Sequence, residues 1–307
     1  MPIKILDSMP AQATLESENI FVMTEYKAMH QDIRALKVLI LNLMPTKIET
    51  ETQILRKLSN SPLQVDVDFL QTVSYVPQHI DHSHLEAFYK SFEEVKDRKY
   101  DGMIITGAPL ENMEYEEVDY WEELCEIMEW SKKHVHCCYF LCWGAYAAFY
   151  YFYGIKKRPL EKKLSGIYPH EVMKKNSPLF RGFDDIFYAP HSRGIEVTKE
   201  DIEGIPELEL MAYSKEAGVA VVKTMDSRRF FVTCHFEYDA NTLKNEYLRD
   251  LKKGINPDIP ENYFPQNDPS KLPIVNWRSA AQLFYTNWLN YYVYQSTPYE
   301  INSVGGE

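Results

Sequence analysis

Three side chains capable of covalent chemistry stand out, and they come in an order that suggests a mechanism. Cys142 sits in "YFLCWGAYAAFYYFYG", where an apolar run gives way to small and aromatic residues, two residues before Gly144. A thiol between a strand and a helix meets the converging amides of the helix N-terminus, which lower its pKa and can hold an oxyanion. Trp143 would supply one such amide, and Gly144 leaves room for the tight turn. A small buried core cysteine accounts for the same residue, since a free thiol packs as a hydrophobe. Further on, "TCHFEYD" carries His235 and Glu237. Read as the end of the strand "RRFFVTCHFEY", it turns both side chains to one side. The carboxylate then accepts from one imidazole nitrogen and the other is left to take a proton from a thiol. A lone histidine on a strand is more often structural, but the pairing with Glu237 and an upstream elbow cysteine favours catalysis.

These residues need a frame. "KVLILNL", "QVDVDFL", "DGMIITG" and "HVHCCYFL" read as buried strands, separated by helical stretches such as "ETETQILRKLSN" and "HSHLEAFYKSFEEVKDR". Near-continuous apolar strands alternating with helices describe an α/β fold, a largely parallel sheet flanked by helices. The second half adds "DIFYAPHS", "LELMAYS" and "VAVVKTM", strands with tighter turns. The proline-rich stretch from 255 to 273 excludes regular structure and is a candidate cover for a site that must exclude water. "NWRSAAQLFYTNWLNYYVYQ" reads as a C-terminal helix. "ENMEYEEVDYWEELCEIMEW" reads as a solvated amphipathic helix with Tyr120, Trp121, Leu124 and Met128 on its apolar face. No flexible linker divides the chain, so residues 1–307 are expected to form one domain.

Composition excludes several classes. A net charge of −12 argues against nucleic acid, which wants clustered cations. No apolar run approaches the roughly 20 residues of a membrane span. Five cysteines, an odd number, and no apolar leader predict free thiols in a reducing, cytoplasmic compartment. "HVHCC" offers His134, His136, Cys137 and Cys138 as metal ligands, but it lacks a second, separated pair, and strand alternation would split the set. No metal is expected.

Cys…His…Glu in that order, on an α/β frame, is the arrangement of class I glutamine amidotransferases. Together, "LNLMPTKIETE", "ITGAPLE", "CWGAYAA", "APHSR", "CHFEYD", "YFPQNDP" and "TNWLNYYVYQ" followed by Ser296 and "TPY" resemble the homoserine O-acyltransferase family of methionine biosynthesis. The match runs from about residue 1 to 300, in family order. It implies a glutamine-amidotransferase-like, flavodoxin-like three-layer fold. It also implies acyl transfer from acyl-coenzyme A, a co-substrate rather than a cofactor, to the hydroxyl of L-homoserine. Two departures are visible. Amidotransferases usually have glycine two residues before the nucleophile, where this chain has Phe140, which puts glutamine hydrolysis in doubt. Position 46 is Thr, beside Lys47, where many relatives carry a second basic residue.

The resemblance implies that Cys142 carries the acyl group, His235 is the general base, and Glu237 orients it. It carries over Lys163, Ser192 and Arg249 as substrate contacts, an arginine fork suiting an α-carboxylate. Taken alone these three would be a solvated lysine, a turn serine and an exposed helix arginine. Lys47 is a candidate near the oxyanion, although a surface lysine before a helix would look the same. Glu111, by itself a loop carboxylate at the start of an acidic helix, occupies the family position where glutamate accompanies acetyl transfer and glycine succinyl transfer. The physics runs the same way. Two like charges about 4 Å apart repel by roughly 4 kcal/mol at an effective dielectric near 20, and acetyl carries no charge to repel. The expectation is therefore acetyl transfer, with succinyl transfer and, more remotely, a cysteine amidohydrolase as alternatives. A homodimer is compatible with it.

Overall fold

The computed structural model describes residues 35–74, 82–298 and 300–305, together with the backbone of two short strands, β1 (Ile3–Ile5) and β2 (Val22–Thr24), which pair in parallel. Most of "MPIKILDSMPAQATLESENI", on which the leader argument rests, lies outside the described residues.

The main sheet has ten strands, and its first members are the apolar runs of the sequence. β3 (Leu36–Leu41) leads to α1 (Lys47–Leu58), and β4 (Val65–Leu70) to α2 (His82–Phe88). β5 (Tyr89–Lys90) and α3 (Phe92–Val95) precede β6 (Tyr100–Ile105). α4 (Trp121–His134), β7 (Val135–Leu141) and α5 (Trp143–Tyr153) complete the first half. The second half brings β8 (Arg158–Val172), β9 (Ile186–Glu196), α6 (Lys199–Glu203), β10 (Leu208–Ser214), β11 (Gly218–Thr224) and β12 (Arg229–Val232). α7 (Thr242–Lys252) and α8 (Arg278–Asn287) follow, α8 continuing as a π-helix over Trp288–Tyr294.

The strand order is β5-β4-β3-β6-β7-β12-β11-β10-β8-β9. Pairing is parallel from β5 to β12 and antiparallel from β12 to β9, so the sheet is mixed. Alternation along the strands sorts the core into two layers. Val38, Ile40, Ile104, Tyr139 and Leu141 face one side, packed with Ile54 of α1 and Phe284 of α8. Leu39, Met103, Ile105 and Phe140 face the other, packed with Leu124 of α4 and Phe149 of α5. Layers on both faces of a sheet built of such runs are the three-layer α/β arrangement expected.

Local expectations fail where tertiary pairing overrides them. "HSHLEAFYKSFEEVKDR" is not one helix, because Tyr89 and Lys90 leave it to pair with Phe69 and Leu70 of β4. The acidic stretch becomes helical only from Trp121, after a single 3₁₀ turn at Tyr115–Glu117. His134 ends α4, with its ring stacked on Trp130 at 4.9 Å, so it does not share a strand with His136.

Candidate active site

The candidate nucleophile, Cys142, lies at a strand-to-helix junction. β7 ends at Leu141, and Cys142 caps α5 with φ 47° and ψ −115°, a backbone region that non-glycine residues avoid. Such a conformation costs about 1–3 kcal/mol and persists only where its surroundings enforce it. Here they do. The Cys142 N–H donates to the Val232 carbonyl at 2.7 Å, and the N–H groups of Ala145 and Tyr146 return to the Cys142 carbonyl. The start of α5 is pressed onto the end of β6 through Gly144, where a Cβ would stand 2.7 Å from the Thr106 carbonyl oxygen. Gly107 makes the reciprocal approach, a Cβ there meeting that of Cys142 at 3.3 Å.

His235 and Glu237 come together by a different route from the one expected. β12 stops at Val232, opposite the last residue of β7, and residues 233–239 form a loop. Beyond the end of β7 the backbone finds acceptors on β11 and β9. Thr233 N–H donates to Ala220 O at 2.9 Å, and His235 N–H to Pro190 O of β9 at 2.8 Å. A turn follows, closed by Tyr238 N–H on His235 O. The turn, and not strand alternation, sets His235 Nδ1 to donate to Glu237 Oε1 at 2.6 Å. The Tyr238 ring stacks on the imidazole at 4.1 Å.

The imidazole is buried, and burial pushes its pKa down, but the facing Cys142 sulfur and the Glu237 carboxylate outweigh burial. The net result is a histidine whose pKa lies well above the usual 6.5. Nε2 is committed to no nitrogen or oxygen partner and faces the Cys142 sulfur, which leaves it available to exchange a proton with the thiol.

Around this core lies a ring of charge. Ser192, on β9 opposite Ser165 of β8, donates to Glu246 Oε2 at 2.5 Å, and Tyr238 OH donates to Glu246 Oε1 at 2.8 Å. Lys163 Nζ lies 3.2 Å from Asp250 Oδ2 and 4.0 Å from Glu246 Oε2. Arg249 Nε donates to Asp250 Oδ1 at 2.9 Å. Lys163, Ser192 and Arg249 are thus gathered, held by two carboxylates that sequence reasoning missed. Their signal was the four-residue spacing of Glu246 and Asp250, which puts both on one face of α7. A cavity of about 390 Å³ opens beside Lys163, Glu246 and Asp250, walled by Ile255, Asn256 and Pro257 from the proline-rich segment.

Glu111 points into the same region. Its Oε2 accepts the Gly194 N–H at 2.7 Å. Burial raises its pKa above 4.5, opposed by that hydrogen bond and by Lys163, His235 and Arg193. Lys47 Nζ donates to Asn42 O at 2.5 Å and lies 5.1 Å over the Tyr89 ring. Burial brings its pKa down to about 8, with Glu51 opposing. Among the described residues, no group of three or more His, Cys, Asp or Glu side chains could hold a metal ion, and no helix is long and apolar enough to cross a membrane.

Solved structures with this fold include a glutamine amidotransferase from Thermotoga maritima. It aligns with a TM-score of 0.54 at 15% identity, over 83% of this chain and 97% of that one. The likeness extends to the architecture alone. Sequence relatives are far nearer. The homoserine O-acetyltransferase of Acetivibrio thermocellus is 57% identical over 99% of this chain and 100% of its own length. That of Methanomethylophilus alvi is 58% identical over 99% of each. The profile of the homoserine O-succinyltransferase family matches residues 2–299, and with relatives this similar over their full length, the chain belongs to that family.

Proposed function

We propose that this enzyme transfers an acetyl group from acetyl-coenzyme A to the hydroxyl of L-homoserine, giving O-acetyl-L-homoserine for methionine biosynthesis. The observation that carries the reading is the strained Cys142 elbow facing a buried His235–Glu237 pair, in a chain more than half identical to homoserine O-acetyltransferases.

His235, its pKa raised by Glu237 and by the facing sulfur, takes the Cys142 thiol proton at Nε2. The Cys142 sulfur attacks the thioester carbonyl, and the oxyanion forms near the Trp143 N–H at the start of α5. The carbon–sulfur bond to coenzyme A breaks, and the leaving thiolate takes the proton from His235 Nε2. Neutral His235 then accepts the homoserine hydroxyl proton as that oxygen attacks the acyl-cysteine. Collapse releases the ester, and the proton on His235 Nε2 returns to the departing Cys142 sulfur. Glu237 stabilises the charged ring at both stages.

Homoserine is a zwitterion, and the ring of charge complements both its ends. Lys163 and Arg249 suit the α-carboxylate, and Glu246 and Asp250 suit the α-ammonium. Glu111 selects the donor by filling space and placing negative charge where a succinyl carboxylate would lie.

The experiment compares kcat/KM for acetyl- and succinyl-coenzyme A while following O-acylhomoserine. Preference for acetyl-coenzyme A, with parallel double-reciprocal lines, is expected. Preference for succinyl-coenzyme A would overturn the donor assignment and leave the reaction class standing. Ammonia released from glutamine, without ester formation, would overturn both.

A further inference from the structure

The strand order contains a reversal. From β3 the sheet grows one way through β4 and β5 and the other way through β6, β7 and β12. Loops leaving the carboxyl ends of two strands at such a reversal diverge, and open α/β sheets bind ligands in the crevice between them. In this chain the crevice is real. Residues 42–46 after β3 and 106–113 after β6 enclose a cavity of about 280 Å³, walled by Leu43, Met44, Ala108, Leu110, Met113 and Tyr120.

Three features identify its occupant. First, the cavity's wall runs beside the elbow. Ala108 in its wall follows Gly107, whose α-carbon is so near the elbow that a Cβ would stand 3.3 Å from Cys142 Cβ and 3.4 Å from the Trp143 nitrogen. Second, its chemistry is the inverse of the acceptor cavity's. The two share no lining residue, and where the acceptor cavity presents Lys163, Glu246 and Asp250, this one is mostly aliphatic. Its polar groups are Asn42, Gln71, Thr72 and Lys47, with the exposed Asp119 at one edge. Such a wall repels a zwitterion and suits an uncharged chain bearing a few amides. Third, it is small. Ligand pockets begin near roughly 300 Å³, so this one takes a single extended chain and leaves a nucleotide outside.

We infer that the crevice between β3 and β6 receives the pantetheine arm of the acyl-coenzyme A donor and delivers its thioester to Cys142. This rests on the acyltransferase reading. It gives donor and acceptor separate cavities.

Met44→Trp and Met113→Trp fill the crevice from opposite walls. The readout is kcat/KM for acetyl-coenzyme A divided by that for S-acetyl-N-acetylcysteamine, which lacks most of the arm. The ratio is expected to fall at least tenfold in each variant, and an unchanged ratio in both would overturn the assignment. So would a raised KM for homoserine with the donor ratio unaltered. Hydrogen exchange on the Cys142→Ala protein with free coenzyme A covers the case in which neither tryptophan variant folds. Protection over 42–47 and 106–113 is expected, and protection confined to 246–258 would contradict it. A wild-type protein that turns over neither donor would refute the acyltransferase reading, and the exchange experiment would still decide what the crevice binds.

Discussion

The triad and the charged ring beside it use the same kinds of residue to opposite ends. His235 and Glu237 are 7% and 4% exposed, meet at 2.6 Å, and are held by a turn, a stacked tyrosine and a strained neighbour. Lys163 and Arg249 are 39% and 53% exposed and rest against Asp250, which lies at the wall of the cavity. In low dielectric, a charge is committed to its partner, and removing one member strands the other. Near water, an ion pair is worth only about 0–1 kcal/mol, so a zwitterionic substrate can displace one carboxylate for another at little cost. The buried pair is built to hold a proton in place and the open ring to exchange partners.

That contrast orders the consequences of mutation. The largest belongs to Cys142, the proposed carrier of the acyl group. Cys142→Ala should abolish O-acylhomoserine formation while leaving the melting temperature nearly unchanged, because alanine keeps the Cβ and the strained backbone conformation alike. Cys137→Ala and Cys138→Ala should retain most activity. Next comes the buried pair. Glu237→Gln should cost roughly a thousandfold or more in kcat, as loss of the orienting carboxylate does in related triads, with the KM for homoserine little changed.

Gly144→Ala tests the elbow itself. The methyl would meet a backbone oxygen at 2.7 Å, so the variant should lose about 1–3 kcal/mol of stability, measured by urea unfolding. An unaffected midpoint would mean that the elbow is looser than its contacts indicate. Glu111 lies between the two regions. Glu111→Gly should shift the acetyl-to-succinyl preference by up to roughly a thousandfold, the scale of a 4 kcal/mol charge repulsion.

Glu111 also carries a pH signature. Its folded pKa is raised, so its neutral form stabilises the native state fully below the unfolded value near 4.5. That contribution is lost as pH rises through the folded value. Discrimination against succinyl should therefore weaken as the solution is made acidic and Glu111 gains its proton. A ratio flat with pH would leave only bulk as the cause of selectivity. The smallest effect belongs to the open ring. Lys163→Met should raise the KM for homoserine about tenfold, with kcat nearly intact and the difference shrinking in high salt. A loss confined to kcat would place Lys163 in the chemistry instead.

The elbow was legible in the sequence because its determinants are local: an apolar strand, a thiol, and a glycine two residues on. The parallel strands were legible for the same reason. His235 and Glu237 were found with the wrong geometry, because where β12 ends depends on where β7 ends, and neighbouring residues do not record that. Glu246 and Asp250 were missed altogether. On a solvated helix their spacing looks like surface, and only the packing of α7 against β8 and β9 turns it inward to Lys163 and Ser192. The crevice beside Gly107 is likewise a product of strand order, which no stretch of residues states.

The central claim is a covalent acyl-enzyme at Cys142, and intact mass spectrometry tests it most directly. Wild-type protein mixed with acetyl-coenzyme A in the absence of homoserine should gain the mass of one acetyl group, mapped to Cys142 after digestion. The adduct should disappear when homoserine is added and never form on Cys142→Ala. No adduct on a protein that nevertheless makes O-acetylhomoserine, or an adduct retained by Cys142→Ala, would contradict the account.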